Sequence, residues 1–216
     1  RIMNFEIQKL SLSRAIQAQL DALIVLWPSL TLPNPLAHDP VSRWVANAIE
    51  AGDFELKSGA VMTLYCQPGM VPRHVVVVCT AENKPGQVRS AVQSGWNALK
   101  SAKIKHLGLH VVGDATGQGI QLALSSLADA SYSYTTTLSK PKSRLLKQVS
   151  VSAENASAAL EHAVRHSQAL VAGVELAKEW ANRPANHATP SHLAQAAKSI
   201  AKGSAFKCEV LGPKEV

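Results

Sequence analysis

Two short apolar runs constrain this chain more than any other feature. Asp21 to Trp27 reads Asp-Ala-Leu-Ile-Val-Leu-Trp, and Arg73 to Thr80 reads Arg-His-Val-Val-Val-Val-Cys-Thr. Neither run alternates apolar with polar residues, as a strand with one wet face would. Continuous runs of this length, rich in Val, Ile and Leu, are the pattern of strands covered on both faces in a largely parallel sheet. Helices must then supply the cover.

The intervening segments provide them. Asp39 followed by Pro40 offers a cap and a first-turn proline, Val41, Trp44, Val45, Ala48 and Ile49 fall at helical spacing, and Gly52 is a stop, which predicts a helix over 40–51. Pro85 opens a second helix with the small-residue stripe Val88, Ala91, Val92, Gly95, Ala98 and Leu99, suited to close packing on a sheet. Ile104 to Val112 reads as another strand. It is followed by the loop Gly113 to Gly119 and by Ile120, Leu124 and Leu127 at helical spacing. Val61 to Cys66 and Leu146 to Val151 add strands. The alternation of strand and helix predicts an α/β fold, a three-layer sandwich around a mostly parallel, mixed sheet.

A long helical pattern without proline then runs from Ala153 to Asn182, with Leu160, Val164, Val171, Val174 and Ala181 near one stripe. About 28 helical residues would span roughly 42 Å, longer than the usual element of a compact domain, so the segment reads as a connector. Thr189 and Pro190 open a further helix that Gly203 ends, and Phe206 to Leu211 reads as a strand. Such a strand needs neighbours for its backbone groups, which predicts an incomplete second domain. The expected organisation is an amino-terminal α/β domain over 1–152, a linker helix over 153–182 and the start of another domain over 183–216.

Length and 46% hydrophobic content allow a sizeable core, and no apolar run reaches the eighteen or so residues of a membrane span. The start lacks the long apolar segment of a secretory signal, and Met3 reads as a natural start preceded by Arg1 and Ile2. Cys66, Cys79 and Cys208 are odd in number and widely spaced, which suits a reducing cytoplasm. Cys66 and Cys79 end apolar runs and read as buried thiols. The net charge of +7 favours acidic partners, and the densest basic group is Lys140, Lys142, Arg144 and Lys147, with Lys100, Lys103 and Lys105 a second. Neither group is interleaved with aromatics, so a solvated face is the plain reading and DNA binding the alternative.

No motif for chemistry survives inspection. His162 and His166 are four apart on a helix, but zinc peptidases require Glu directly after the first His, and Ala163 stands there. His106 and His110, four apart in a strand, share a face about 13 Å from each other and cannot hold one ion. The Gly113 to Gly119 loop matches neither a P-loop nor a dinucleotide fingerprint, and Asp114 reads as a cap for the next helix. There is no Gly-x-Ser-x-Gly elbow, no nucleophilic Cys motif and no paired carboxylates. The expected catalytic, metal-binding and cofactor-binding residues of this chain are therefore none.

One segment carries a resemblance. Gly173-Val174-Glu175-Leu176-Ala177-Lys178-Glu179-Trp180-Ala181-Asn182-Arg183-Pro184-Ala185-Asn186-His187-Ala188-Thr189-Pro190 resembles the leucyl, or cytosol, aminopeptidase family, where a Leu-Ala-Arg-x-Leu-x-Asn helix enters an Asn-x-Pro-x-Asn-x-x-Thr-Pro turn. Ser191 to Gly203 is similar to the family's next helix, and Cys208 to Leu211 with Lys214-Glu215 to its following strand. Asp53 to Gly59 is similar to the family's Asp-Phe-x-Gly-Lys-x-Gly. Ser131 to Tyr134 ahead of Ser139 to Lys142 resembles its Tyr-Arg-Phe/Tyr and Lys-Ser-Lys segments, with Ser133 in place of Arg.

The resemblance implies a cytoplasmic, usually hexameric metallo-exopeptidase that releases amino-terminal residues such as Leu from peptides, with two divalent ions, manganese or zinc. It also implies that this chain is the amino-terminal domain plus the start of the catalytic domain. The family's Lys-Gly-x-x-x-Asp-Ser-Gly-Gly and Asn-Thr-Asp-Ala-Glu-Gly-Arg motifs, which hold the metals and the catalytic Arg, do not occur in these 216 residues. The chain by itself is thus expected to be inactive and to serve assembly or regulation.

Overall fold

A computed structural model describes residues 3–36, 38–100, 102–212 and 214–215. Arg1 and Ile2, expected to precede a start at Met3, and Val216, expected to close an incomplete domain, lie outside the described residues. The chain divides into two compact units, Arg1–Tyr132 with Arg144–Ala172, and Ser133–Ser143 with Gly173–Val216.

The first unit is built on one sheet. The two apolar runs become β2 (Ala22–Pro28) and β4 (His74–Thr80), which pair in parallel from Ala22↔His74 to Pro28↔Thr80. On its other side β2 pairs in parallel with β5 (His106–Val111), and β5 with β6 (Gln148–Ala153). A strand β1 (Asn4–Lys9) adds in parallel beyond β6, and β3 (Val61–Tyr65) runs antiparallel beyond β4, giving the order β1-β6-β5-β2-β4-β3. The carboxylate of Asp21 clips the entry of β5 to that of β2, accepting from the backbone N–H of Lys105 at 2.8 Å and of His106 at 2.9 Å.

Both faces of the central strands are buried, which is why their sequences do not alternate. Ile24, Leu26, Val76, Val78, Leu109 and Val151 face a core completed by α3 (Pro85–Leu99), α4 (Gly117–Ser131) and the first part of α5 (Ala158–Ala181). Leu23, Val25, Trp27, Val75, Val77 and Cys79 face a second core closed by α1 (Leu12–Ala15) and α2 (Pro40–Glu50). The result is the expected three-layer α/β sandwich around a mostly parallel, mixed sheet. Asp39 caps α2, accepting from Ser42 N–H at 2.7 Å, and Pro40 occupies its first turn.

At Gly95, α3 lies close against the sheet. A Cβ there would lie 3.0 Å from both Cδ1 and Cγ2 of Ile24, on a strand that cannot retreat because its other face is also packed. Gly95→Val is expected to lower the unfolding free energy by about 1–3 kcal/mol through overpacking, read as a lower urea midpoint at unchanged m-value. A stability equal to that of the parent would show that α3 lies further out.

Several expectations need correction. The strand β1 and the short helix α1 were not anticipated. The long helix begins at Ala158 rather than Ala153, because Ala153 completes the ladder of β6 and the Ser157 hydroxyl accepts from Leu160 N–H at the helix entry. Its 24 residues span about 36 Å. Leu160, Val164 and Val171 are buried as expected, but Val174 and Ala181 are exposed, as is Ala98 on α3. Phe206 to Leu211 forms no strand: none of the described residues offers it a ladder. Cys79 is buried, and burial pushes its thiol up to about 11, but Cys66 is exposed in the turn after β3 with φ +47°. No helix among the described residues is long and apolar enough to cross a membrane.

In the second unit, the end of α5 is held by Glu179, which accepts from Arg183 at 3.1 Å and from the Thr136 hydroxyl. The Arg183 guanidinium lies 3.9 Å from the centroid of Trp180. A single 3-10 turn, Ala185–His187, leads to α6 (Pro190–Lys202), whose amino terminus Thr189 caps as expected.

Candidate functional site

The polar side chains of the first unit gather on one area of the sheet. Residues pointing to the α3–α4 side from β1, β6 and β5 are apolar, including Phe5, Val149, Val151, Leu107 and Leu109. Their neighbours on the opposite face are Glu6, Gln8, Ser150, Ser152, His106 and His110, brought side by side by the registers Glu6↔Ser150, Gln8↔Ser152 and His110↔Ser152. Alternation within these strands therefore records a face that α1 and α2 cover only in part.

Among the described residues, two cavities lie on this face. The larger, about 300 Å³, is lined by Glu6, Gln8, Gln19, His106, Ser150 and Ser152 beside an apolar wall that includes Ala15 and Leu20. Here the Ser150 hydroxyl donates to the Glu6 carboxylate, and His106 Nε2 lies 2.6 Å from the same hydroxyl oxygen. Because the serine proton is committed to Glu6, Nε2 must be the donor to Ser150. A nucleophilic serine needs the reverse, an imidazole that takes the hydroxyl proton, so this trio is a hydrogen-bond chain and not a catalytic triad.

The smaller cavity, about 210 Å³, lies at the carboxyl ends of β2, β5 and β6 and includes Trp27, Asn34, Asp39, His110, Gly113 and Glu154. His110 is 1% exposed, and its Nδ1 lies 2.9 Å from the Ser152 hydroxyl. Burial pushes its pKa down to about 4 against the opposing pull of the Asp39 charge, so the ring is neutral at pH 7. Neighbouring Asn83, which adopts φ +53° and is 4% exposed, ties the same strand ends together. Its amide donates to the carbonyls of Val112 at 3.0 Å and Asp114 at 3.1 Å, and its oxygen accepts from the Thr80 hydroxyl at 2.6 Å. Nothing in the local sequence signals either role, since the partners of Asn83 in the β5 loop are 29 and 31 residues away.

The sequence candidates separate on the structure. The Gly113 to Gly119 segment is a strand-to-helix turn, with Gly113 at φ +75°. Its cap is Thr116, whose hydroxyl accepts from Gly119 N–H at 3.1 Å, and not Asp114, which contributes a backbone carbonyl to Asn83 instead. His162 and His166 stack on the exposed side of α5 with centroids 6.3 Å apart. His106 and His110 do share a face, each occupied by its own serine. Lys140, Lys142 and Lys147 are exposed, as are Lys100, Lys103 and Lys105. Lys140 and Lys142 belong to the second unit, Arg144 and Lys147 to the first. Among the described residues, no group of three or more His, Cys, Asp or Glu side chains could hold a metal ion.

Comparison with known proteins places this architecture. Residues 32–141 match the model of the cytosol aminopeptidase family, N-terminal domain. The chain is 41% identical over 214 residues to a probable cytosol aminopeptidase of Albidiferax ferrireducens, covering 99% of this chain and 44% of that protein. It is 40% identical over 215 residues to one from an Acidovorax species, covering 99% and 42%. The chain thus spans under half the length of these curated relatives. A solved structure of a tomato leucine aminopeptidase mutant superimposes with a TM-score of 0.68 over 93% of this chain and 42% of that one, at 20% identity, a likeness of fold. With half of its residues matched by the family model and nearly all aligned to named members, this chain belongs to the cytosol aminopeptidase family and carries its amino-terminal domain.

Proposed function

We propose that the whole protein is a cytoplasmic, hexameric leucyl aminopeptidase that releases amino-terminal residues from peptides, and that residues 1–216 serve its assembly or regulation and not its chemistry. The observation that carries the reading is 41% identity over 214 residues to a protein described as a probable cytosol aminopeptidase. In this reading residues 1–152 form the amino-terminal domain, the helix within 153–182 is the connector, and the catalytic domain starts near 183.

Two divalent ions, manganese or zinc, would polarise the scissile carbonyl and generate hydroxide in the whole enzyme. The described residues of this chain do not supply a donor set for them, so no catalytic step is assigned to its side chains.

The test compares the full-length protein with residues 1–216 on leucyl p-nitroanilide with added manganese. Turnover by the full-length protein and none by the shorter chain is expected. Metal-dependent turnover by residues 1–216 would remove the claim that this region is silent, and an inactive full-length protein would remove the peptidase reading itself.

A further inference from the structure

The smaller cavity sits where the topology of the sheet reverses. After β2 the chain passes to α2 on one face of the sheet, and after the adjacent β5 it passes to α4 on the other. In open α/β sheets the crevice outside the carboxyl ends of two such strands is the favoured ligand position, because the departing connections diverge and leave a gap. Here that gap is real: Trp27 lies next to the end of β2, Gly113 follows β5, Glu154 follows β6, and all three line the cavity.

Its chemistry selects one sign of charge. The titratable groups lining it are Asp39, Glu154 and His110, with no Lys or Arg among the lining residues. His110 is held neutral by burial, and its second ring nitrogen has no hydrogen-bond partner among the described residues. Glu154 forms no ion pair among them, and Asp39 spends one oxygen on the cap of α2, leaving the other. Trp27, with its indole N–H donating to the Thr31 carbonyl at 2.6 Å, and Leu32 add apolar wall. An anion would meet two carboxylates and no base. A cation meets two carboxylates and the indole of Trp27, and in the tautomer whose Nδ1–H donates to Ser152 the other ring nitrogen of His110 is an acceptor.

We propose that this switch-point cavity binds a small primary ammonium ligand with a short aliphatic body. A volume of about 210 Å³ admits a handful of heavy atoms, which limits the body to roughly the size of a leucine side chain. The ammonium sits between Asp39 and Glu154 with His110 accepting one of its hydrogens, and the aliphatic part lies against Trp27 and Leu32. Carboxylates next to the amine are excluded, because the lining has no positive charge to receive them. The proposal is independent of the peptidase activity of the whole protein.

The test follows the indole N–H resonance of Trp27, identified through Trp27→Phe, while residues 1–216 are titrated with isopentylamine, putrescine, isopentanol and leucine. A saturating shift with isopentylamine at millimolar concentration is expected. Binding should weaken about tenfold or more in the combined variant Asp39→Asn with Glu154→Gln, since Asn still caps α2. Isopentanol, which lacks the charge, and leucine, which adds a carboxylate, should each bind about tenfold more weakly or worse. Tighter binding of putrescine than of isopentylamine would assign the site to diamines, and the reverse order to monoamines such as a peptide amino terminus. No shift with either amine up to about 20 mM, equal binding of isopentanol or leucine, or indifference to the double charge removal would each overturn the proposal.

Discussion

Asn83→Ala is expected to lower the unfolding free energy by roughly 3 to 4 kcal/mol, through two separable losses. Its side chain makes three hydrogen bonds, at 2.6, 3.0 and 3.1 Å, and removing it strips the Val112 and Asp114 carbonyls and the nearly fully buried Thr80 hydroxyl of a partner. At about 1 kcal/mol net each, these account for most of the effect. The remainder is backbone: at φ +53° Asn tolerates the left-handed region, and Ala pays about 1 kcal/mol there. Asn83→Gly should therefore recover about 1 kcal/mol of the loss while restoring no hydrogen bond. Urea unfolding of the three proteins checks both numbers. A loss below about 1 kcal/mol for the alanine variant would show that water replaces the clamp, and equal Ala and Gly variants would remove the backbone share.

The consequence reaches the switch-point cavity. Gly113 lines it, and the two carbonyls that Asn83 holds, those of Val112 and Asp114, flank that glycine. Loosening Asn83 frees the wall of the cavity before it disturbs either core. The position that most firmly shapes the candidate site is thus a residue with no contact to its contents, and sequence patterns are blind to it. Its chemistry lies in bonds across the strand ends, not in spacing.

What the sequence does reveal is governed by burial. β2 and β4 announce themselves because burial on two faces forbids polar residues along a run, and the helices announce themselves where a cap of the right type stands before a proline, as at Asp39 and Thr189. β1 escapes notice because half of it is polar: Glu6 and Gln8 face the partly covered side while Phe5 and Ile7 meet the core. Phe206 to Leu211 has the composition of a strand, but no ladder stands beside it among the described residues, and composition cannot supply one. Cys66 shows the same limit at a single position. An apolar run ending in Cys is buried at Cys79, where the strand continues, and exposed at Cys66, where the chain turns. Family membership was legible because the segment from Gly173 to Pro190 combines a helix ending with a particular turn, a longer pattern than any one site motif.

Between about pH 6.5 and pH 4 the first unit should lose about 3 kcal/mol of stability through His110 alone. Burial is the main cause: the folded imidazole resists protonation until about pH 4, whereas in the unfolded chain it takes a proton near its ordinary 6.5. In that window the unfolded state binds more protons, so stability is fully present above pH 6.5 and declines as the pH falls to about 4. The groups near the ring in the cavity act in known directions. Asp39 favours the protonated form and softens the effect, Glu154 at the mouth is exposed, and Ser152 occupies Nδ1 whatever the charge. His110→Gln removes the titration while leaving every other ionisable group in place, so the difference in pH slope between parent and variant isolates this one site. The parent curve should be steeper by about 3 kcal/mol across the window, measured by urea unfolding at a series of pH values. Parallel curves would mean that water reaches the ring in the folded state and that burial does not hold His110 below its ordinary range.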